Sequence, residues 1–323
     1  MNAALVTRLA GATLAWSVLA AASPAPLPAG GPQAQTPPVQ RETTFRSGVD
    51  LVALNVTVTD PSNRYLTDLA AEDFLVYENG VKQEIGYVSR TNLSLSVALL
   101  LDSSASMDDK MRATQEAASG FVQSLRPQDQ AQVIDFDSRV NVLAPFTSSK
   151  ADLEKAIAST VAGGSTSLYT AIYIALRELK KTETRGTEDL RRRAVIVLSD
   201  GEDTSSLVSY DEVLELAKRT ETAIYAIGIR SKEPAGSGRG SGQADFALRQ
   251  LTTQTGGRVF FPSSADELKA IYALISQELS SQYLVGYTSS DQKRDGAWRR
   301  INVRTSRPGA TARTRMGYYA PGS

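Results

Sequence analysis

The stretch LLLDSSASMDD, residues 99–109, ends an apolar run in a dense set of oxygen donors. Asp102, Ser104 and Ser106 are spaced two apart, so an extended loop can turn all three the same way. Two further stretches supply donors of the same kind. VAGGSTSLYTAI places Thr166 in a glycine-flanked loop ahead of a helical pattern, and AVIVLSDGED places Asp200 at the tip of another apolar run. Taken singly, each has a plainer reading, because serine and aspartate are ordinary helix caps. A strand-tip aspartate can also serve as a nucleophile. Taken together, three hydroxyls and two carboxylates form a hard-oxygen set of low formal charge. That set suits magnesium, which takes about six oxygens and readily retains water.

Composition narrows the chemistry. The 323 residues include no cysteine and no histidine. Disulfides, thiol catalysis, Ser-His hydrolysis and histidine- or thiolate-ligated metals are therefore excluded. Any metal must be held by oxygen, with magnesium expected first and manganese or calcium as the other ions such a set accepts. Basic and acidic residues balance at 35 each, which gives no argument for nucleic acid or an anionic membrane surface.

The donors need strands to carry them. LSVALLL, AQVIDF, RAVIVLS and TAIYAIGI are apolar runs without alternation, spaced by helical patterns near 109–125, 150–160, 168–181, 209–220, 244–254 and 264–280. The last puts Leu268, Ile271, Ile275 and Leu279 on one face, with Ser263 or Ser264 as its cap. This pattern predicts a mainly parallel sheet covered on both sides, whose strand carboxyl ends are where ligands bind. KEPAGSGRGSGQ, residues 232–243, reads as a flexible surface loop.

The flanks are β-rich. LVALNVTVTD alternates, and Asn79-Gly80 between two strand-like runs fits a type I′ hairpin. QYLVGYT, WRRINVRT and ARTRMGYYA are strand candidates after Ser280. Neither flank alone has enough strands to bury a core, so the two are expected to pair. The predicted fold is α/β, a doubly wound and mainly parallel sheet inserted in or flanked by a small β-sandwich of N- and C-terminal strands. The expected organisation is a signal peptide at 1–22, an unfolded linker at 23–45, an N-terminal β segment at 46–91, the α/β domain at 92–280 and a C-terminal β segment at 281–320. The leader combines Arg8, an apolar stretch from Leu9 to Ala22 and small residues at Ala20–Ala22, which implies export to the periplasm or beyond.

Other residues have structural readings. Asp135 and Asp137 are expected at solvated or turn positions, and Asp108 and Asp109 at the first helix's amino end, where acids are favourable. Glu202 and Asp203 read as turn residues. Gly163 and Gly164 lack the lysine of a phosphate loop and are expected to let the Thr166 loop approach. The run Arg191–Arg193 is expected on the surface.

The DxSxS, threonine and aspartate elements resemble those of the von Willebrand factor A domain, from about Leu93 to Leu279. The flanks GVDLVALNVTVTD, LAAEDFLVYENGVKQEI, SSQYLVGY and MGYYA resemble bacterial VWFA-related proteins abundant in acidobacteria. The resemblance implies a metal-ion-dependent adhesion site (MIDAS) at Asp102, Ser104, Ser106, Thr166 and Asp200. It implies direct ligation by Ser104, Ser106 and Thr166, with Asp102 and Asp200 acting mainly through water. The expected function is capture of a partner protein's aspartate or glutamate by the bound ion, without catalysis. Two alternatives stand beside it: a magnesium-dependent phosphohydrolase with Asp102 as nucleophile, and a structural envelope protein whose cage engages no partner.

Overall fold

Alternation is realised in the first strand. Val52, Leu54, Val56 and Val58 of β1 (Leu51–Thr59) are all buried, as a period-two pattern requires. The structure is a computed structural model that describes residues 51–90, 93–182, 191–200, 203–229 and 240–322. The expected leader and linker, Glu202 and residues 232–239 lie outside the described residues. β2 (Phe74–Glu78) and β3 (Val81–Gln83) are joined by Asn79 and Gly80 at φ 48° and 85°, the paired left-handed conformations of a type I′ turn. β4 (Ile85–Arg90) follows.

The central region alternates strands and helices. Its elements in order are β5 (Leu95–Asp102), α1 (Met111–Ser124), β6 (Gln130–Phe136), β7 (Val140–Thr147), α2 (Lys150–Ala158) and α3 (Leu168–Lys181). Then come β8 (Arg192–Ser199), α4 (Tyr210–Arg219), β9 (Ala223–Gly228), α5 (Gly240–Thr255), β10 (Val259–Phe260) and α6 (Leu268–Ser280). The six strands form one sheet in the order β10-β9-β8-β5-β6-β7, parallel except for β7. β5 is buried along its whole length. Val97, Leu99 and Leu101 pack with α1, α2 and α6, whereas Ala98 and Leu100 pack with α3, α4 and α5. The sheet is doubly wound, as the unbroken apolar runs predict.

The chain then supplies β11 (Tyr283–Thr288), β12 (Trp298–Thr305), β13 (Thr311–Arg313) and β14 (Gly317–Tyr319). Two antiparallel sheets result, in the orders β13-β1-β11-β4 and β14-β12-β2-β3. Each joins strands from both ends of the chain. Their inner faces share one cluster that includes Leu54, Val56, Phe74, Val76, Val285, Tyr287 and Val303.

Several local expectations are corrected. Residues 140–147, which lie between the expected apolar runs and helices, form β7, hydrogen-bonded antiparallel to β6. Residues 240–243 belong to α5, because a sixteen-residue helix anchored by buried Leu248 and Leu251 carries its glycine-rich start along. Neither Ser263 nor Ser264 caps α6 with its side chain, since a short 3-10 turn at Ala265–Glu267 precedes it. Asp108 and Asp109 stand at the amino end of α1 as expected, just ahead of its first turn. Asp137 is a turn residue as expected, its carboxylate accepting from the Arg139 amide at 2.6 Å. Asp135 is half-buried rather than solvated, and burial pushes its carboxyl up. Arg192 is buried at the start of β8, so the arginine run is not a surface feature throughout.

Candidate metal centre

The winding of the sheet opens a crevice at the candidate donors. The helix after β5 packs on one face and the helix after β8 on the other, while the two strands are parallel neighbours with Leu101 opposite Leu198. Neighbouring strands that send their chains to opposite faces leave a cleft at their carboxyl ends. Asp102 ends β5, Ser199 ends β8, and Asp200 follows directly after it at that cleft.

Three loops are tied together around it. The Gly163 amide donates to the Ser103 carbonyl at 2.7 Å, and the Ala105 amide donates to the Gly164 carbonyl at 3.1 Å. Gly164 has φ +78°, and a Cβ there would lie 2.9 Å from an Asp137 carboxylate oxygen. Glycine therefore permits this close approach. The amides of Thr204 and Ser205 donate to the Thr166 carbonyl at 2.9 and 3.0 Å, and the Thr166 amide donates to Thr204 Oγ1 at 3.0 Å.

Within this frame Ser104, Ser106 and Asp200 form one cluster. The Ser104 and Ser106 hydroxyl oxygens are 3.1 Å apart, and the Ser106 hydroxyl donates to Asp200 Oδ1 at 2.7 Å. Asp102 stands behind them, fully buried. Its Oδ1 accepts from the Ser104 amide at 2.8 Å, and its Oδ2 accepts from the Ser199 hydroxyl. Burial pushes the Asp102 carboxyl up, against the lowering effect of the Ser104 and Ser199 donors. Thr166 is 5% exposed, and no hydrogen bond to its hydroxyl is found among the described residues. The Thr166 loop is thus docked on the others with that hydroxyl unspent. Asp203 serves the loop itself, accepting from the Tyr169 amide at 3.2 Å and from Ser206.

Sequence reasoning missed two participants. Ser199 orients Asp102 from the adjacent strand. Lys110 donates to the Ser106 carbonyl at 2.9 Å and ion-pairs with Asp200 Oδ2. The Asp200 side chain is fully buried in this contact. The available signal for Lys110 was its spacing, four residues beyond Ser106. Among the described residues no three acidic side chains converge as a metal cluster, so the donor set is distinguished by its hydroxyls. Its chemistry fits a hard cation. The ammonium of Lys110 marks the Ser106–Asp200 side as a place where positive charge is already favoured.

A doubly wound α/β domain with neutral hydroxyls and two carboxylates at its switch point defines the structural class. The family model of the von Willebrand factor type A domain matches residues 96–274, and the chain belongs to that family. Domains of this family are commonly metal-dependent protein-interaction modules. An uncharacterized protein of Borreliella burgdorferi is 25% identical over 223 residues, 64% of this chain and 60% of that protein. The chain thus spans about 60% of the length of that curated relative. A von Willebrand factor type A structure from Catenulispora acidiphila is similar at TM-score 0.51 and 13% identity, covering 86% of this chain and 76% of that one. Proximal thread matrix protein 1 of the mussel byssus, solved with zinc in its MIDAS motif, is similar at TM-score 0.48 and 20% identity. That match covers 59% of this chain and 49% of the mussel chain.

Proposed function

We propose that this protein is an exported binding module that captures an aspartate or glutamate of a partner protein through a divalent cation, magnesium first. The observation that carries this reading is the Ser104–Ser106–Asp200 cluster at the sheet's switch point, with Asp102 buried behind it. Ser104, Ser106 and Thr166 would hold the ion directly, and Asp102 and Asp200 would act mainly through water. A cation held chiefly by neutral hydroxyls retains most of its charge and supplies a coordination position for an outside carboxylate.

The chain's own residues prepare that encounter. Asp102 orients the Ser104 backbone, and Lys110 offsets the charge of Asp200. Val161 is 77% exposed and Leu207 is 93% exposed. They lie on the loops that carry Thr166 and Thr204. Export rests on the leader at 1–22; no helix among the described residues is long and apolar enough to cross a membrane.

The arrangement does not favour the phosphohydrolase alternative. A nucleophilic carboxylate must reach its substrate, whereas Asp102 is fully buried and both of its oxygens accept hydrogen bonds from the protein. Pulldown from the source organism's envelope fraction tests the proposal. The wild-type chain should capture a partner in magnesium and release it to chelator. Asp102→Ala and Ser104→Ala should fail to capture while keeping the wild-type circular dichroism spectrum. Wild-type-level capture by both variants would contradict the proposal.

A further inference from the structure

The crevice is bordered by carboxylates that its oxygen cluster does not use. Asp109 follows the Ser104–Ser106 segment. Its side chain is 82% exposed, with one oxygen 3.9 Å from the Lys110 ammonium that also pairs with Asp200. Asp108 beside it is exposed as well. On the β6 side, Asp137 flanks the loop that carries Thr166: its carbonyl accepts from the Ser167 amide at 2.8 Å, and its carboxylate stands against Gly164. Asp203 belongs to the third loop, which the Thr204 and Ser205 amides fasten to the Thr166 carbonyl.

Bases are scarce at these strand ends. Lys110 is engaged between Asp200 and the Ser106 carbonyl. Arg139 is the other basic side chain among the described residues of the loops after β5, β6 and β8 and the Thr166 loop. The Thr166 hydroxyl, on a residue only 5% exposed, has no partner among the described residues, so the crevice keeps an oxygen for an incoming ligand. An ion seated at the Ser104–Ser106–Asp200 cluster would be a positive point inside a negative border. Charges within about a Debye length, roughly 10 Å at 0.1 M salt, act on whatever approaches. Such a field discriminates. A lone carboxylate reaching the ion gains its attraction, but further acids beside it meet the border as like charges, and basic neighbours pair with it.

We propose that the crevice selects an aspartate or glutamate flanked on both sides by lysine or arginine, with Asp108, Asp109, Asp137 and Asp203 as its specificity determinants. This rests on the metal-capture reading of the same centre and adds the character of the partner's surface around the captured acid. The ion supplies the attachment, and the border rejects acid-rich segments that the ion alone would accept. Because Asp108 and Asp109 are exposed, their contribution belongs to the salt-sensitive part of binding.

Calorimetric titration of the full chain with synthetic peptides, in low-salt buffer with magnesium, tests this. One peptide has a central glutamate flanked by lysines, another has glutamates in place of the lysines, and a third keeps the lysines around a central glutamine. The lysine-flanked glutamate peptide should bind roughly tenfold or more tighter than the glutamate-flanked one, and salt of about 0.5 M should close most of that gap. Asp108→Asn combined with Asp109→Asn should narrow the gap to about threefold. Glu72→Gln combined with Glu84→Gln makes the same change in net charge at exposed positions of the N-terminal β region and should leave the gap as in the wild type. Equal binding of the lysine- and glutamate-flanked peptides, no saturable binding of the lysine-flanked one, or equal narrowing by both variant pairs would overturn the proposal. The glutamine peptide tests the reading beneath it. If it binds as its glutamate counterpart does, with and without chelator, metal capture is contradicted while the border's preference for bases stands.

Discussion

In the proposed metal site, Lys110 would set the terms on which the oxygen cluster meets a cation. Its ammonium holds Asp200 Oδ2 and the Ser106 carbonyl, so an incoming divalent ion must share that carboxylate with a tethered positive charge. Lys110→Met should therefore bind magnesium at least about tenfold more tightly, as loss of a nearby like charge of about 1.4 kcal/mol implies. Without metal the same variant should be less stable by about 2–4 kcal/mol, because it leaves a buried carboxylate unpaired. Calorimetry and thermal unfolding in chelator check both arms, and unchanged magnesium affinity would place Lys110 outside the site. The hydroxyls and carboxylates of the cluster were legible because their types and strand-tip positions are local features. Ser199 and Lys110 were not. The partnership of Ser199 with Asp102 comes from strands 97 residues apart, and that of Lys110 from a side chain folding back over one turn onto Asp200.

Among the elements, the entry to β5 depends on one carboxylate. Asp129 accepts from the Leu95 amide at 2.8 Å, from the Arg126 amide at 3.1 Å and from the Arg126 guanidinium at 3.0 Å. Burial alone would raise its pKa, but the Arg126 side chain and these amides outweigh it and hold the carboxyl below the ordinary 3.8. A depressed carboxyl contributes stability that is fully present above its unfolded value and lost as pH falls through the folded value. Asp129→Asn should thus cost about 1–3 kcal/mol at pH 7, and the deficit should shrink once acid protonates the wild type. Urea unfolding at pH 7 and near pH 3 measures it; a deficit that does not narrow would contradict the assignment. The long amphipathic helices and buried strands were readable from periodicity alone. β7 was not, because its burial is irregular and two register shifts interrupt its pairing with β6. β10 has only two residues, too few to set a period. Arg192 was misread because its partners are backbone carbonyls from distant segments, which no charge pattern announces.

Across the whole molecule, the chain's two ends complete each other. β1 lies between β13 and β11, and β2 lies between β12 and β3, so neither flank owns a full sheet. Buried Glu278 of α6 is bound by Arg313 at 2.6 Å and by Tyr225 at 2.7 Å, fastening the terminal strands to the central sheet. Removing residues 311–323 should therefore abolish amide protection in β1–β4 as well as β11 and β12, while β5, β6 and β8 stay protected in hydrogen exchange. Persistent protection of β1 and β2 would show the N-terminal strands to be self-sufficient. The central claim concerns the ion itself, and titrating magnesium into the full chain by calorimetry tests it most directly. The wild type should bind one ion per chain, and Ser104→Ala combined with Ser106→Ala should bind none. No magnesium binding by the wild type, or equal affinity in the double variant, would contradict it.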